Sequence, residues 1–388
     1  MNAVRVGLDG RALTNQNRYR GIGRYTARLI ENLIKETSDF EFVVFGYGES
    51  PNNGLLDSDV MDKLEWRRLP GHDRLPFHEV LVDHIVFARA VQQAGVSFFH
   101  GVDHNLSPFL KCPSLVTVHD LIPLVMPGPY LGPRHLLWVK AHARAARKAR
   151  LVVTDSDNTR RDVENIWGIP GERIKVVYAG VDEPKRTVEG ERAIEKVREK
   201  YGIDRPFFLS IGGFDPRKNI GNTLLAFKRF LLESGLEFQL VMCGDLGRWG
   251  GYLQEETTEL GLTGSVVLTG FVPDGDLPPL YSGALALVFL SLYEGFGLTP
   301  LESMTYETPV LTSRLSSIPE VVGDAGLYVD PLEPADIAAG MARLAEDEEL
   351  REQLKAKGLR RTSLFTWEKT AREILVLYPR VAQGGGCN

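Results

Sequence analysis

The sequence predicts two doubly wound α/β domains, each a mostly parallel sheet with helices on both faces. Three observations carry this. The chain has 388 residues, and at roughly 100–200 residues per domain that suggests two. Short β-branched apolar runs recur that are continuous rather than alternating, the pattern of strands buried on both faces. Longer mixed segments with helical spacing lie between them, and strand–helix alternation of this kind occurs twice along the chain.

In the first half the strand candidates are VRVGLD (4–9), EFVVFG (41–46), VSFFHG (96–101), SLVTVHD (114–120), LVVTDS (151–156) and IKVVYAG (174–180). In the second half they are FFLSIGG (207–213), FQLVMCGD (238–245), VVLTGF (266–271), ALVFLS (286–291), PVLTS (309–313) and the shorter GLYVD (326–330). Residues 22–36 place Ile22, Tyr25, Leu29, Leu33 and Ile34 near one helical face, and 219–232 and 335–357 also read as helices. A charged stretch, Glu183 to Lys200, separates the halves. The expected division is residues 1–182, a linker at 183–200, a second domain at 201–370, and a terminal helix and tail at 371–388 that crosses back to the first domain.

Composition narrows the function. The chain is 43% hydrophobic and 25% charged, ordinary for a globular protein with a full core. A net charge of −6 disfavours nucleic-acid binding, which needs a basic surface, but leaves room for a local basic pocket. Cys112, Cys243 and Cys387 follow no zinc or redox spacing, and their sparse, odd number fits a reducing compartment. The opening MNAVRVGLD reads as a strand rather than a secretory leader, and no apolar run is long enough to span a bilayer. The expectation is a cytoplasmic protein. The tail GGGCN reads as flexible.

Ligands of doubly wound sheets bind outside the carboxyl ends of the strands, and two such domains facing each other would put the site in a cleft. Chemically interesting residues do follow the strand candidates. GGFDPRKN (212–219) comes directly after FFLSI: Gly212 and Gly213 permit a tight turn, and Arg217 and Lys218 then lie where a helix begins, an arrangement suited to a diphosphate. The alternative is a turn with two solvated charges. LYEGFGLTPLE (292–302) follows ALVFLS, and its Gly295 and Gly297 flank Phe296 in a loop able to wrap a ligand. Thr299 reads as an N-cap, Pro300 as the first helical residue and Glu302 as the third, so Glu302 has a structural reading as half of a capping box. Glu294 is placed to accept hydrogen bonds from sugar hydroxyls, or else is an exposed loop acid.

His119 and Asp120 end the run SLVTVHD; the histidine either hydrogen-bonds near a reacting group or is a loop histidine paired with its neighbour. In RGIGRY (20–25), Gly21 and Gly23 expose backbone N–H groups at a helix start, which favours an anion or simply caps the helix. Residue 26 is Thr, so this is no dinucleotide fingerprint, and a two-domain dehydrogenase is disfavoured. Arg134 to Arg150 is a basic helix that either rests on an anionic membrane surface or packs on the core with its cations in water. Pro123, Pro127, Pro129 and Pro133 suggest an irregular loop.

Together these motifs resemble the retaining family 4 of glycosyltransferases, which have the GT-B fold of two Rossmann-like domains. The resemblance runs over nearly the whole chain. Its most specific element is the Glu-x7-Glu pair Glu294 and Glu302 within EGFGLTPLE, and GGFDPRKN is the second. The segments GLDGRAL, GIGRYTARLIENL and SRLSSIPEVVGDAGLYVDP also look like the bacterial mannosyltransferase-like branch. The resemblance implies that Arg217 and Lys218 hold a donor diphosphate beside Gly213, that Glu302 binds ribose, and that Glu294 contacts the donor sugar. It implies that Gly295, Phe296, Gly297 and Leu298 present backbone groups, that Phe271 and Val272 border the base, and that Gly21 and Gly23 meet phosphate. His119 would lie near the anomeric centre and Asp120 on the acceptor side.

The implied activity is metal-independent, cofactor-free transfer of a hexose. The best guess is mannose from GDP-mannose, with a UDP-hexose as the alternative. The acceptor would be a saccharide or lipid-linked saccharide in cell-surface polysaccharide synthesis, at the inner face of the membrane. A rival of another class is a nucleotide-sugar sensor or scaffold that binds without transfer. The sequence does not specify an oligomeric state.

Overall fold

The structure, a computed structural model, describes residues 4–19, 21–49, 56–70, 81–126, 133–184 and 190–383. Arg20, Pro127, Pro129 and the tail with Cys387 lie outside these residues, as do the side chains of Pro133 to Trp138. The chain divides into two compact units, residues 1–180 with 365–388 and residues 181–364.

The first unit is a seven-stranded sheet. Its strands are β1 (Val4–Asp9), β2 (Phe40–Tyr47), β3 (Leu64–Leu69), β4 (Phe98–Gly101), β5 (Ser114–Val118), β6 (Leu151–Thr154) and β7 (Ile174–Val176). They lie in the order β3-β2-β1-β4-β5-β6-β7, and β1 pairs in parallel with both β2 and β4, with Val6 opposite Phe42 on one side and Phe98 on the other. Phe45, Phe87, Phe99, Val116, Val152 and Trp167 form part of one core on this sheet, with the Phe87 and Phe99 rings meeting edge to face at 5.3 Å.

The second unit is a six-stranded sheet of β8 (Phe207–Ile211), β9 (Gln239–Cys243), β10 (Val266–Gly270), β11 (Ala286–Phe289), β12 (Val310–Thr312) and β13 (Gly326–Tyr328), in the order β10-β9-β8-β11-β12-β13. Its two faces carry separate cores. Phe208, Leu240, Met242 and Val288 join one, while Phe207, Leu209, Val241, Leu287 and Phe289 join the other. Successive strand residues point to opposite faces, so burial on both sides demands unbroken apolar runs, which is why these strands are legible without alternation.

Several boundaries differ from expectation. Residues 191–200 of the expected linker belong to a helix, Glu191–Tyr201, whose Ala193 and Val197 are buried one turn apart against the helix Leu277–Gly283. Its charged outer face disguised that short apolar stripe. The segment read as one helix over 335–357 is two, Pro334–Glu346 and Glu348–Thr362, separated at Asp347, whose carboxylate accepts from the Leu350 amide at 2.8 Å. The returning helix is Trp367–Ala382, four residues earlier than expected. It packs on the helix Gly21–Glu36, with Trp367 edge-on to Tyr25 at 5.6 Å.

The basic helix is Pro133–Lys148. Ala143, Ala145 and Ala146 are buried in the first unit's core, and Lys140, Arg144, Arg147 and Lys148 are exposed. Among the described residues, no helix is long and apolar enough to cross a membrane.

Candidate active site

Each sheet reverses its strand order once, between β1 and β4 and between β8 and β11. Loops after two strands that flank such a point diverge and leave a crevice at their carboxyl ends. In the second unit those two loops are GGFDPRKN, after β8, and the EGFGLTPLE segment, after β11. Topology therefore brings together two motifs separated by more than 70 residues of sequence.

The first loop is held by its own geometry. Gly212 has φ +145°, and a Cβ there would lie 3.2 Å from the Lys218 side chain. The Asp215 carboxylate accepts from the Arg217 amide at 3.2 Å, capping the short turn Pro216–Lys218. Asn219, with φ +59°, then turns the chain into the helix Ile220–Ser234 and anchors it by donating to the Pro331 carbonyl at 2.6 Å. The Arg217 carbonyl accepts from the Leu292 amide at 2.8 Å, tying this loop to the next.

Arg217 and Lys218 meet Glu294. One guanidinium nitrogen stands 2.6 Å from Glu294 Oε2, and Lys218 Nζ stands 2.6 Å from Oε1. All three side chains are only 12–13% exposed, so Glu294 is neither an exposed loop acid nor are the cations solvated. Arg217 also donates to the Tyr293 carbonyl at 3.0 Å, and Lys218 Nζ lies 4.8 Å from the centre of the Phe289 ring. Burial opposes the charge of Glu294, but Lys218 and Arg217 outweigh it and hold the carboxyl below its usual range. Burial, with Arg217 alongside, lowers Lys218 despite the attraction of Glu294. Asp215 Oδ1 also stands 3.4 Å from Arg217 Nε, so two carboxylates face the two cations, and Arg217 and Lys218 are the groups of this cluster that can meet an anionic ligand. Gly212, Gly213, Phe214 and Lys218 line a cavity at this strand end.

Two serines that the sequence reading missed shape the second loop. The Glu294 amide donates to Ser316 Oγ at 3.0 Å, and Ser317 Oγ donates to the carbonyls of Glu294 at 3.0 Å and Phe296 at 2.7 Å. Ser316 itself has φ +57°, and small hydroxyl residues at 316–317 were the only signal available. Phe296 and Gly295 are buried, while Gly297 and Leu298 are half-buried.

The expected capping box does not form. The helix is Leu298–Thr305, and Gly297, at φ +113°, precedes it. Thr299 and Pro300 fall inside the first turn, where proline costs no hydrogen bond, and Glu302 is the fifth helical residue, beyond capping reach. Its Oε2 instead accepts from the Tyr281 hydroxyl at 2.9 Å, and Tyr281 stacks on Tyr306 at 5.4 Å. Phe271 is 60% exposed at the end of β10, whereas Val272 is 6% exposed and belongs to a core.

In the first unit, Gly21 opens its helix and is exposed; Gly23 is buried. A Cβ on Gly23 would lie 2.5 Å from the Asn17 carbonyl oxygen and 2.6 Å from Arg18 Cα, so backbone packing alone requires glycine there. His119 lies just past β5 and is buried. Its Nδ1 stands 2.8 Å from Asp155 Oδ2 and its Nε2 3.0 Å from the Val102 carbonyl oxygen. The Tyr25 ring meets it edge-on at 4.6 Å. Its partner is thus Asp155, after β6, and not its sequence neighbour. Asp120 accepts at 2.9 Å from the amide of Ile122, the first residue of the turn Ile122–Val125.

Two family models match the chain: glycosyl transferases group 1 over residues 193–361 and glycosyltransferase family 4 over residues 19–184. The O-antigen chain mannosyltransferase B of Escherichia coli is 31% identical over 375 residues, covering 92% of this chain and 95% of its own. The serotype-specific mannosyltransferase WbdA of E. coli is 26% identical and covers 97% of this chain, which spans 48% of WbdA's length. Among solved structures, Anabaena HepE in complex with UDP and glucose has a TM-score of 0.75 at 18% identity, covering 97% of this chain and all of that one. WaaG, a glycosyltransferase of lipopolysaccharide biosynthesis, has a TM-score of 0.74 at 14% identity, covering 95% and 98%.

Two doubly wound parallel sheets with these similarities define the GT-B class of glycosyltransferases. Within that class the chain belongs to glycosyltransferase family 4, and its relatives include bacterial mannosyltransferases at 26–31% identity.

Proposed function

We propose that this glycosyltransferase transfers a hexose with retention of configuration, and that its donor is GDP-mannose. The observation that carries the donor site is the half-buried cluster of Arg217, Lys218 and Glu294, built by the two loops that flank the reversal of the second sheet. A nucleoside diphosphate gathers negative charge as the sugar leaves, and preorganised donors at such a position are each worth about 3–4 kcal/mol in a transition state. Arg217 and Lys218 take that role in our reading, so the transfer needs no divalent metal. Glu294 turns to the sugar hydroxyls, Glu302 to the ribose and Phe271, with Val272 behind it, to the base. The loop Gly295–Leu298 and Gly213 present backbone groups; in the first unit, Gly21 and Gly23 are assigned to phosphate and His119 to the sugar.

The choice of mannose draws on the names of the mannosyltransferase relatives. By the same reasoning the acceptor is a saccharide or lipid-linked saccharide of a cell-surface polysaccharide, met at the cytoplasmic face of the membrane. The exposed cations Lys140, Arg144 and Lys148 would face the lipid.

A panel of nucleotide sugars screened by thermal shift tests the donor, because a ligand that binds the native state raises the melting temperature by mass action. GDP-mannose should give the largest shift. A larger shift with UDP-glucose would replace it with a UDP-hexose. Release of nucleotide in the presence of acceptor separates a transferase from a sensor that only binds, and full activity in EDTA is expected.

A further inference from the structure

We propose that Asp155 is a positioning residue that holds His119 as a fixed cation, so that His119 serves the reaction through its charge and not by passing a proton. The proposal rests on the reading of His119 as a sugar-side residue. Both ring nitrogens of His119 are already committed, Nδ1 to the Asp155 carboxylate at 2.8 Å and Nε2 to the Val102 carbonyl at 3.0 Å. A carboxylate and a carbonyl oxygen both accept, so each ring nitrogen donates, and an imidazole with two N–H groups is an imidazolium. A neutral ring would leave one buried acceptor facing a bare nitrogen. The other carboxylate oxygen of Asp155, Oδ1, is buried without a hydrogen-bond partner in the protein, which leaves His119 as the principal compensation for its charge.

The surroundings agree. Tyr25 closes the site from the helix Gly21–Glu36. Asp103, after β4, and Asp120, after β5, add negative field, while His100 and His104 are the nearby groups that oppose a charge. Burial disfavours the imidazolium, but the Asp155 hydrogen bond and charge, with Asp103 and Asp120 behind them, push His119 up to about 9. A histidine of ordinary pKa, about 6.5, could accept a proton from the attacking hydroxyl at neutral pH. An imidazolium with both N–H groups spent cannot. What it offers is a positive charge at the carboxyl end of the first sheet.

The test is a titration of the full-length protein labelled with 15N-histidine, the His119 signal being the one lost in His119→Gln. Both nitrogens should stay protonated beyond pH 8 in the unsubstituted protein, and Asp155→Asn should lower the proton affinity at least tenfold. Turnover by Asp155→Asn should then fall as pH rises through the new midpoint and recover below it, with Asp155→Glu restoring the original profile. A wild-type His119 that loses a proton near pH 6.5, a titration unmoved by Asp155→Asn, or an equal loss of turnover at every pH would each overturn the proposal. The resonance titration needs neither donor nor acceptor, so it stands or falls apart from the assignment of the donor.

Discussion

At the scale of single residues, the decisive contact is Glu294 between Arg217 and Lys218. Replacing either cation with alanine removes a proposed phosphate partner and leaves Glu294 under-compensated. Arg217→Ala and Lys218→Ala should each slow transfer by roughly 100–1,000-fold, the range for loss of one oriented donor, as measured by release of nucleoside diphosphate. Wild-type rates in both variants would remove the diphosphate assignment. Glu294→Gln makes the opposite case. It raises the cluster's positive charge by one, so free nucleoside diphosphate should bind at least as tightly by calorimetry while turnover drops. Weaker diphosphate binding in Glu294→Gln would mean that the carboxylate merely orders the cations. This trio was half legible in the sequence: each motif could be named, but nothing local showed that the acid of one neutralises the bases of the other, because strand order alone makes them neighbours. The His119–Asp155 pair was less legible still, since the histidine already had an acid beside it in sequence.

At the scale of elements, glycines fix where helices begin and how closely chains pass. Gly297 adopts φ +113°, and a Cβ there would also crowd Ile318 at 3.1 Å. Gly297→Ala should therefore destabilise the loop and slow transfer together. Gly23 is different: its substitution meets backbone atoms of residues 17 and 18. Gly23→Ala should lower stability by about 1–3 kcal/mol, as overpacking does, read as a shifted midpoint in urea. A stable Gly23→Ala protein with impaired donor binding would restore a purely ligand-facing role. The strands buried on both faces were the most readable elements. β3 escaped because LEWRRL lies at the sheet edge, where charged and half-exposed residues interrupt the run. The capping box at Thr299 was misplaced because a glycine in the left-handed region starts the helix earlier than any side-chain signal.

At the scale of the whole molecule, buried histidines set the response to pH. His119 is raised to about 9, so the stability it contributes is complete below its unfolded value near 6.5 and is lost as pH rises toward 9. His100 and His142 are pushed down to about 3, both chiefly by burial, so unfolding takes up their protons and stability falls as pH drops below about 6.5. Thermal unfolding across pH should show a maximum near neutrality with losses on both sides. Asp155→Asn should flatten the alkaline side specifically, and an alkaline limb unchanged in that variant would contradict the link between Asp155 and His119.

The helix Trp367–Ala382 belongs to the same unit as residues 1–180. Its Trp367 packs on Tyr25, which packs on His119, and its Tyr378 hydroxyl lies 3.0 Å from His100. The 184 residues from 181 to 364 are thus an insertion within the first unit. On a ribosome adding about 5–20 residues per second, the nascent first sheet must wait for the whole second unit to be made before its last helix arrives. During synthesis the first unit to begin therefore finishes after the second, and its histidine network is assembled only once residues 367–382 have been made.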